Sequence, residues 1–160
     1  MSRSLPCPCG RGLPYDACCG RYHAGGEPPD VESLMRSRYA AFVKKDVDYL
    51  VRTLHADHED RAKGEAALRA ALKRHFTAGL AYRRLEVLDV EGEGPDGLAR
   101  VLFVARIAHR GKDASFAELS TFAYDGVGWR YLAGRTLPAT EVPEGTTIAA
   151  LEGRSGSRPG

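Results

Sequence analysis

Leu98-Ala-Arg-Val-Leu-Phe-Val-Ala-Arg-Ile-Ala-His-Arg110 is a run of thirteen residues with an almost unbroken apolar centre, Val101 to Ala105, rich in β-branched and aromatic types. Such a continuous apolar run reads as a β-strand. Turn chemistry bounds it on both sides: Gly92 to Gly97 before it and Gly111-Lys112-Asp113 after it. Tyr82 to Val90, Phe116 to Tyr124 and Gly128 to Leu132 read as further strands, the last two separated by Asp125-Gly126. Connections this short join antiparallel neighbours.

Upstream the apolar period changes to that of a helix. Val31, Leu34, Met35, Tyr39, Phe42 and Val43 form one stripe behind Asp30, an N-cap residue type. Asp46 is placed to cap a second short helix with Val47, Leu50, Val51 and Leu54 inward. A third helix is expected over Lys63 to His75, burying Ala67, Leu68, Ala71, Leu72 and Phe76. Three helices followed by about four antiparallel strands is a segregated α+β class, with the sheet curved over the helices. That order resembles the half-open cone of the cystatin-like, or nuclear transport factor 2-like, superfamily. The domain division expected is a knuckle over 1–24, a linker over 25–30, the cone over 31–137 and a mobile tail over 138–160. The linker reading rests on Ala24-Gly-Gly-Glu-Pro-Pro-Asp30, and the tail reading on its lack of aromatics and its Gly-Arg-Ser-Gly-Ser-Arg-Pro-Gly end.

All four cysteines fall in the first 19 residues: Cys7, Cys9, Cys18 and Cys19. Crowded thiols in a chain whose start lacks the apolar core of a signal peptide point to metal rather than to loop-closing disulfides. Four thiolates suit one tetrahedral Zn2+ with no position left for substrate, hence a structural site. Arg3, Arg11 and Arg21 are placed to offset its negative charge. His23 is the alternative fourth ligand. The bland alternatives are incidental thiols or a bond between the adjacent Cys18 and Cys19.

Cys7-Pro8-Cys9-Gly10-Arg11-Gly12, Tyr15 and Cys18-Cys19-Gly20 resemble the SEC-C motif, the zinc knuckle found at the C-terminus of the SecA translocation motor and in bacterial accessory proteins. The SecA knuckle carries lysines between its cysteine pairs. Here Leu13, Pro14, Asp16 and Ala17 stand there, so the resemblance implies zinc and does not extend to the SecB chaperone. Leu34 to Val43, Asp48-Tyr49-Leu50, Thr53-Leu54-His55, Leu85 to Leu88, Phe103 to Arg106, Glu118 to Phe122 and Gly128 to Tyr131 are similar to the YchJ family of bacterial proteins, in which a SEC-C motif precedes a cone. This chain departs from that family in having Ala117 where a histidine is common, Leu54 where a tryptophan is common, and no second cysteine motif. The missing histidine weakens any catalytic role that depends on it.

Arg38 lies near the buried side of its helix. It reads either as one half of an ion pair with Glu118 or as a clamp for an anionic ligand. Glu118, on an apolar strand face, is the best candidate for a general base, with Tyr39, His55 or Arg38 assisting. His55, Asp57, His58, Glu59 and Asp60 have the residue types of a second metal site but sit in a polar break where such groups are usually solvated. His75 and His109 read as surface or strand-edge residues, Trp129 and Tyr131 as core or cone-lining aromatics.

The chain has 160 residues, 43% apolar and 28% charged, with a formal net charge of +2. That balance is globular, gives no strong field for nucleic acid, and contains no membrane-length apolar run. The expected location is cytoplasmic. The leading functional expectation is a zinc-binding, non-enzymatic interaction protein, with a protein partner on the knuckle and a partner or small ligand in the cone. An isomerase or dehydratase using Glu118 is the alternative. RNA or ribosome contact through the knuckle arginines, with steep salt dependence, is the third. By analogy with other cones, a homodimer would form through the open face of the sheet.

Overall fold

The computed structural model describes residues 5–156. A short α1 (Cys19–His23) is followed by α2 (Val31–Lys44), α3 (Val47–Arg52) and α4 (Glu65–Phe76). The strands are β1 (Leu80–Glu91), β2 (Leu98–His109), β3 (Lys112–Asp113), β4 (Phe116–Tyr124) and β5 (Trp129–Pro138), and α5 (Ile148–Gly156) closes the chain. Three-residue 3-10 turns precede α1, α4 and α5. The expected α+β cone is therefore present, with a two-residue β3 added to the four main strands.

Local chemistry explains where the helices begin. Asp30 accepts the Ser33 N–H at 2.7 Å to start α2, and Asp46 accepts the Tyr49 N–H at 3.1 Å to start α3. The strands pair in the order β1-β2-β4-β5, all antiparallel, with β3 on β2. Register breaks at Tyr82/Arg84 and Val87/Asp89 in β1, and at Thr121/Phe122 in β4, bend the sheet into the cone.

The central strands β2 and β4 are buried on both faces. On the concave side Val101, Phe103, Ala105 and Ile107 of β2 meet Val31, Leu34, Met35 and Tyr39 of α2. On the convex side Leu102, Val104, Ala117 and Leu119 are covered by Val142, Ile148 and Leu151. The described part of the segment after Pro138, expected to be mobile, is thus a strap across the outer sheet face; residues 157–160 of that tail lie outside the described residues. Its composition hides this because three well-spaced apolar residues suffice. The Ile148 N–H donates to Asp89 Oδ2 at 2.9 Å, and Arg100 pairs with Glu152. The strap also occupies the face through which a homodimer was expected.

The stretch expected to be a linker is pinned as well. Glu27 pairs with Arg130 at 2.8 Å and with Arg52 at 3.3 Å, tying the knuckle's exit to β5 and α3. Helix α4 differs in the opposite sense: Leu68 is buried, but Ala67 and Ala71 are exposed. Its apolar stripe borders an open cavity instead of a filled core, so only part of it loses contact with solvent.

Candidate metal centre and cone cavity

The cysteine loop is made by two reversals of the chain. The Cys7 N–H donates to Leu13 O at 2.9 Å and the Tyr15 N–H to Leu5 O at 2.8 Å, with Gly10 and Gly12 at φ +87° and +83° in between. A side chain would be strained at both glycines. The turn at Tyr15–Ala17 then delivers Cys18 and Cys19 against the first pair. All four Sγ atoms lie within 4.8 Å of one another and all four residues are buried. None is in a disulfide. Tetrahedral coordination with bonds of about 2.3 Å sets sulfurs about 3.8 Å apart, and Cys9 and Cys18 stand at 3.5 Å. The donor set and spacing therefore fit a closed tetrathiolate metal site.

The thiols divide their protons unevenly. A hydrogen bond from Cys19 draws Cys9 down to about 5, burial pushes Cys18 up to about 11, and hydrogen bonding to Cys9 raises Cys19. A divalent cation among them removes the repulsion that otherwise prevents all four from ionising.

His23 stands apart from the cysteine cluster. Its Nδ1 meets the Tyr15 hydroxyl at 2.5 Å and its Nε2 meets Ser37 O at 2.8 Å, so both ring nitrogens are engaged. It bolts the knuckle onto α2. Arg36, absent from the charge-offsetting set read from the sequence, donates to Cys9 O at 2.7 Å. Arg21 donates to Cys18 O at 3.2 Å, while Arg11 reaches Ser33 at 3.1 Å and Glu32 at 3.5 Å. Arg3 lies outside the described residues. The knuckle's outward side carries Leu5 and Leu13, 73% and 45% exposed.

The second site is a cavity of about 450 Å³ between the concave sheet face and α2 to α4. Tyr131 organises it. Its backbone bridges the segment after α3, donating to Thr53 O and accepting from the His55 N–H, both at 2.8 Å. Its hydroxyl donates to Glu118 Oε2 at 2.8 Å, and Ser120 donates to the same oxygen at 2.5 Å. The Arg38 guanidinium lies over its ring, 4.8 Å from the centroid, and His58 stacks on it at 5.2 Å. Gly134 is part of this arrangement: a Cβ there would collide with the Tyr131 hydroxyl and come within 2.6 Å of Glu118 Oε2.

Arg38 is only 7% exposed. Nη1 donates to Thr53 Oγ1 at 2.7 Å and to Leu50 O at 3.0 Å. Among the described residues no carboxylate lies within salt-bridge distance of it. Burial lowers its pKa, opposed by Tyr131, Tyr49 and Glu118, and also lowers those of His58 and His75. Burial raises the phenols of Tyr39 and Tyr82 to about 12.

Residues 30–134 match the model of the YchJ middle domain, described as nuclear transport factor 2-like, and residues 3–21 match the SEC-C motif. The chain belongs to the YchJ family. Two solved structures of SEC-C motif-containing proteins share the fold. The one from Rhodopseudomonas palustris, a solution structure, is 31% identical with a TM-score of 0.70, covering 83% of this chain and 99% of that one. The one from Psychrobacter arcticus, a crystal structure, is 25% identical with a TM-score of 0.66, covering 81% of each chain.

In this YchJ chain the cavity gathers Arg38, Tyr39 and Glu118 but not His55. His55 Nδ1 instead accepts the Asp57 N–H at 3.0 Å. The expected Arg38–Glu118 ion pair is replaced by the shared contact with Tyr131. The His55-to-Asp60 run holds no metal-like cluster; the four cysteines are the one such group among the described residues. His58 accepts the Asp60 N–H at 3.0 Å and turns its ring onto Tyr131. His75, read as a surface residue, lines the cavity and meets the Tyr82 hydroxyl at 2.6 Å. The available signal was its position on the helix, three residues after Leu72 and seven after Leu68. None of the helices among the described residues is long and apolar enough to cross a membrane.

Proposed function

We propose that this YchJ-family chain is a non-enzymatic binding protein: a cone that holds a small ligand, braced by a knuckle containing one structural Zn2+. The cavity carries this reading. It has ligand-sized volume, mostly apolar walls and a few polar groups, the usual make-up of a small-molecule site. Zinc is supported by the soft, closed donor set and by the seat of the knuckle on α2 through His23 and Arg36. In the folded chain the metal's role is to hold the N-terminal end of α2, and hence Arg38 two residues beyond Arg36, in place. Native mass spectrometry of reduced protein is expected to give one zinc per chain, lost on Cys18→Ser. NMR titration of labelled protein with a mixed small-molecule library is expected to shift Tyr39, Glu118 and Tyr131. A library that leaves all the cavity residues unmoved refutes the ligand-binding reading.

A second reading, a protein partner on the knuckle, is favoured by Leu5 and Leu13. They are two of the four large apolar residues that stand exposed among the described residues. Their replacement by serine is expected to abolish capture of such a partner without loss of zinc. Retained capture removes this reading. Enzyme chemistry at Glu118 lacks a favouring observation, since one carboxylate oxygen is already engaged by two hydroxyls.

A further inference from the structure

The cone holds two opposite charges that form no salt bridge with each other. Arg38 is buried to more than nine-tenths, yet it uses only Nη1 in hydrogen bonds and has no carboxylate at salt-bridge distance among the described residues. Glu118 uses only Oε2, which accepts from Tyr131 and Ser120. Among the described residues no fully buried side-chain nitrogen or oxygen lacks a partner. Arg38 Nε and Nη2 and Glu118 Oε1 are therefore not fully enclosed, and both residues line the same cavity.

A buried charge without a counter-ion is costly, and a ligand that supplies the counter-ion removes that cost. A simple anion would satisfy Arg38 but face the Glu118 carboxylate, with Glu59 and Asp60 also on the lining. A simple cation would satisfy Glu118 but leave Arg38 unpaired. A molecule carrying both charges satisfies both groups. Tyr131 sets their separation, because Arg38 lies over its ring while Glu118 sits on its hydroxyl. One ligand head of a few atoms can span that interval. Much of the remaining wall, including Phe42, Leu68, Leu72 and Phe103, is apolar, with Tyr39, Tyr82, His75 and Thr136 the polar exceptions.

We infer that the cone binds a small zwitterion with an apolar body, of the α-amino acid type, with its carboxylate on Arg38 and its ammonium on Glu118. This rests on the ligand-binding reading above. The guanidinium fork matches a carboxylate in shape as well as charge. The Tyr131 and Ser120 hydroxyls hold the Glu118 carboxylate in place so that its free oxygen faces the ammonium. His58 and His75, kept neutral by burial near pH 7, add no positive charge to compete for the carboxylate.

The test is calorimetric titration of the zinc-loaded full chain with three matched probes. L-phenylalanine carries both charges, hydrocinnamate lacks the ammonium and phenethylamine lacks the carboxylate. L-phenylalanine is expected to bind about tenfold more tightly than either of the others, the loss expected for one charge-assisted contact. Glu118→Gln is expected to remove its advantage over hydrocinnamate, and Arg38→Gln its advantage over phenethylamine. The matched probes on the unaltered protein keep the test decisive if Arg38→Gln does not fold. Hydrocinnamate or phenethylamine binding as tightly as L-phenylalanine overturns the zwitterion assignment and leaves a ligand-binding cone. Failure of all three, while other library members shift the cavity residues, overturns it equally. Only a cavity silent to the whole library removes the underlying reading too.

Discussion

Replacing Ile148 by alanine measures whether the C-terminal strap is part of the fold. Ile148 has no exposed surface and packs with Val142 and Leu151 on the convex face of β2 and β4. The change deletes three buried carbons, worth about 2.5 kcal/mol by transfer at about 0.8 kcal/mol each. The cavity left behind raises the expected loss to about 3–4 kcal/mol, within the range for large-to-small core substitutions. With a urea m-value of about 2 kcal/mol/M, the midpoint should fall by about 1.5–2 M without change in m. For a domain of this size that corresponds to a loss of about 10 °C in Tm. The assay is urea unfolding followed by circular dichroism on zinc-loaded protein. Truncation after Pro138 should cost more and expose Leu102, Val104, Ala117 and Leu119. The shortened chain is expected to dimerise or aggregate in sedimentation velocity, since that face is then uncovered. An Ile148→Ala loss below about 0.5 kcal/mol, typical of a surface site, would falsify the docked strap and restore the mobile tail suggested by composition.

Three more outcomes follow from the two sites. His23→Ala, which removes the contacts to Tyr15 and Ser37, is expected to keep one zinc but lower stability by about 1–3 kcal/mol; loss of the metal in native mass spectrometry would instead make His23 a ligand. Gly134→Ala should displace the Tyr131 hydroxyl from Glu118, abolishing ligand-induced shifts while leaving the zinc content unchanged; an unaltered titration contradicts the packing described. His58 and His75 have folded pKa values lowered by burial. The unfolded chain therefore binds more protons once pH drops below about 6.5, so stability is level above that pH and falls as the solution is acidified further. In a His58→Gln, His75→Gln double variant that part of the slope should flatten, and a slope equal to that of the unaltered chain rules these two histidines out.

The helices and strands were legible because their signals are local. Asp30 and Asp46 cap with their own side chains, and the period of Val31 to Val43 is that of one helix face. The cysteine cluster was legible for the same reason, since two short turns suffice to close it. The unbroken run Val101 to Ala105 likewise marked a strand on local grounds, and in the structure that strand is covered on its outer face as well. What that run could not say is which segment supplies the cover. Val142, Ile148 and Leu151 become core only because β5 ends where it does and Asp89 receives the start of α5. Likewise Arg38 and Glu118 could each be read as candidates, but whether they would form a salt bridge was decided by Tyr131, which touches both, and by Gly134, whose missing side chain makes room. Sequence by itself determined the elements, the thiol site and the class of fold, because those follow from chemistry within a few turns of chain. The strap, the rigid seat of the knuckle and the two unpaired charges in one cavity came from tertiary structure alone. Each depends on residues far apart in sequence, whose meeting is set by sheet curvature and side-chain shape and not by any local pattern.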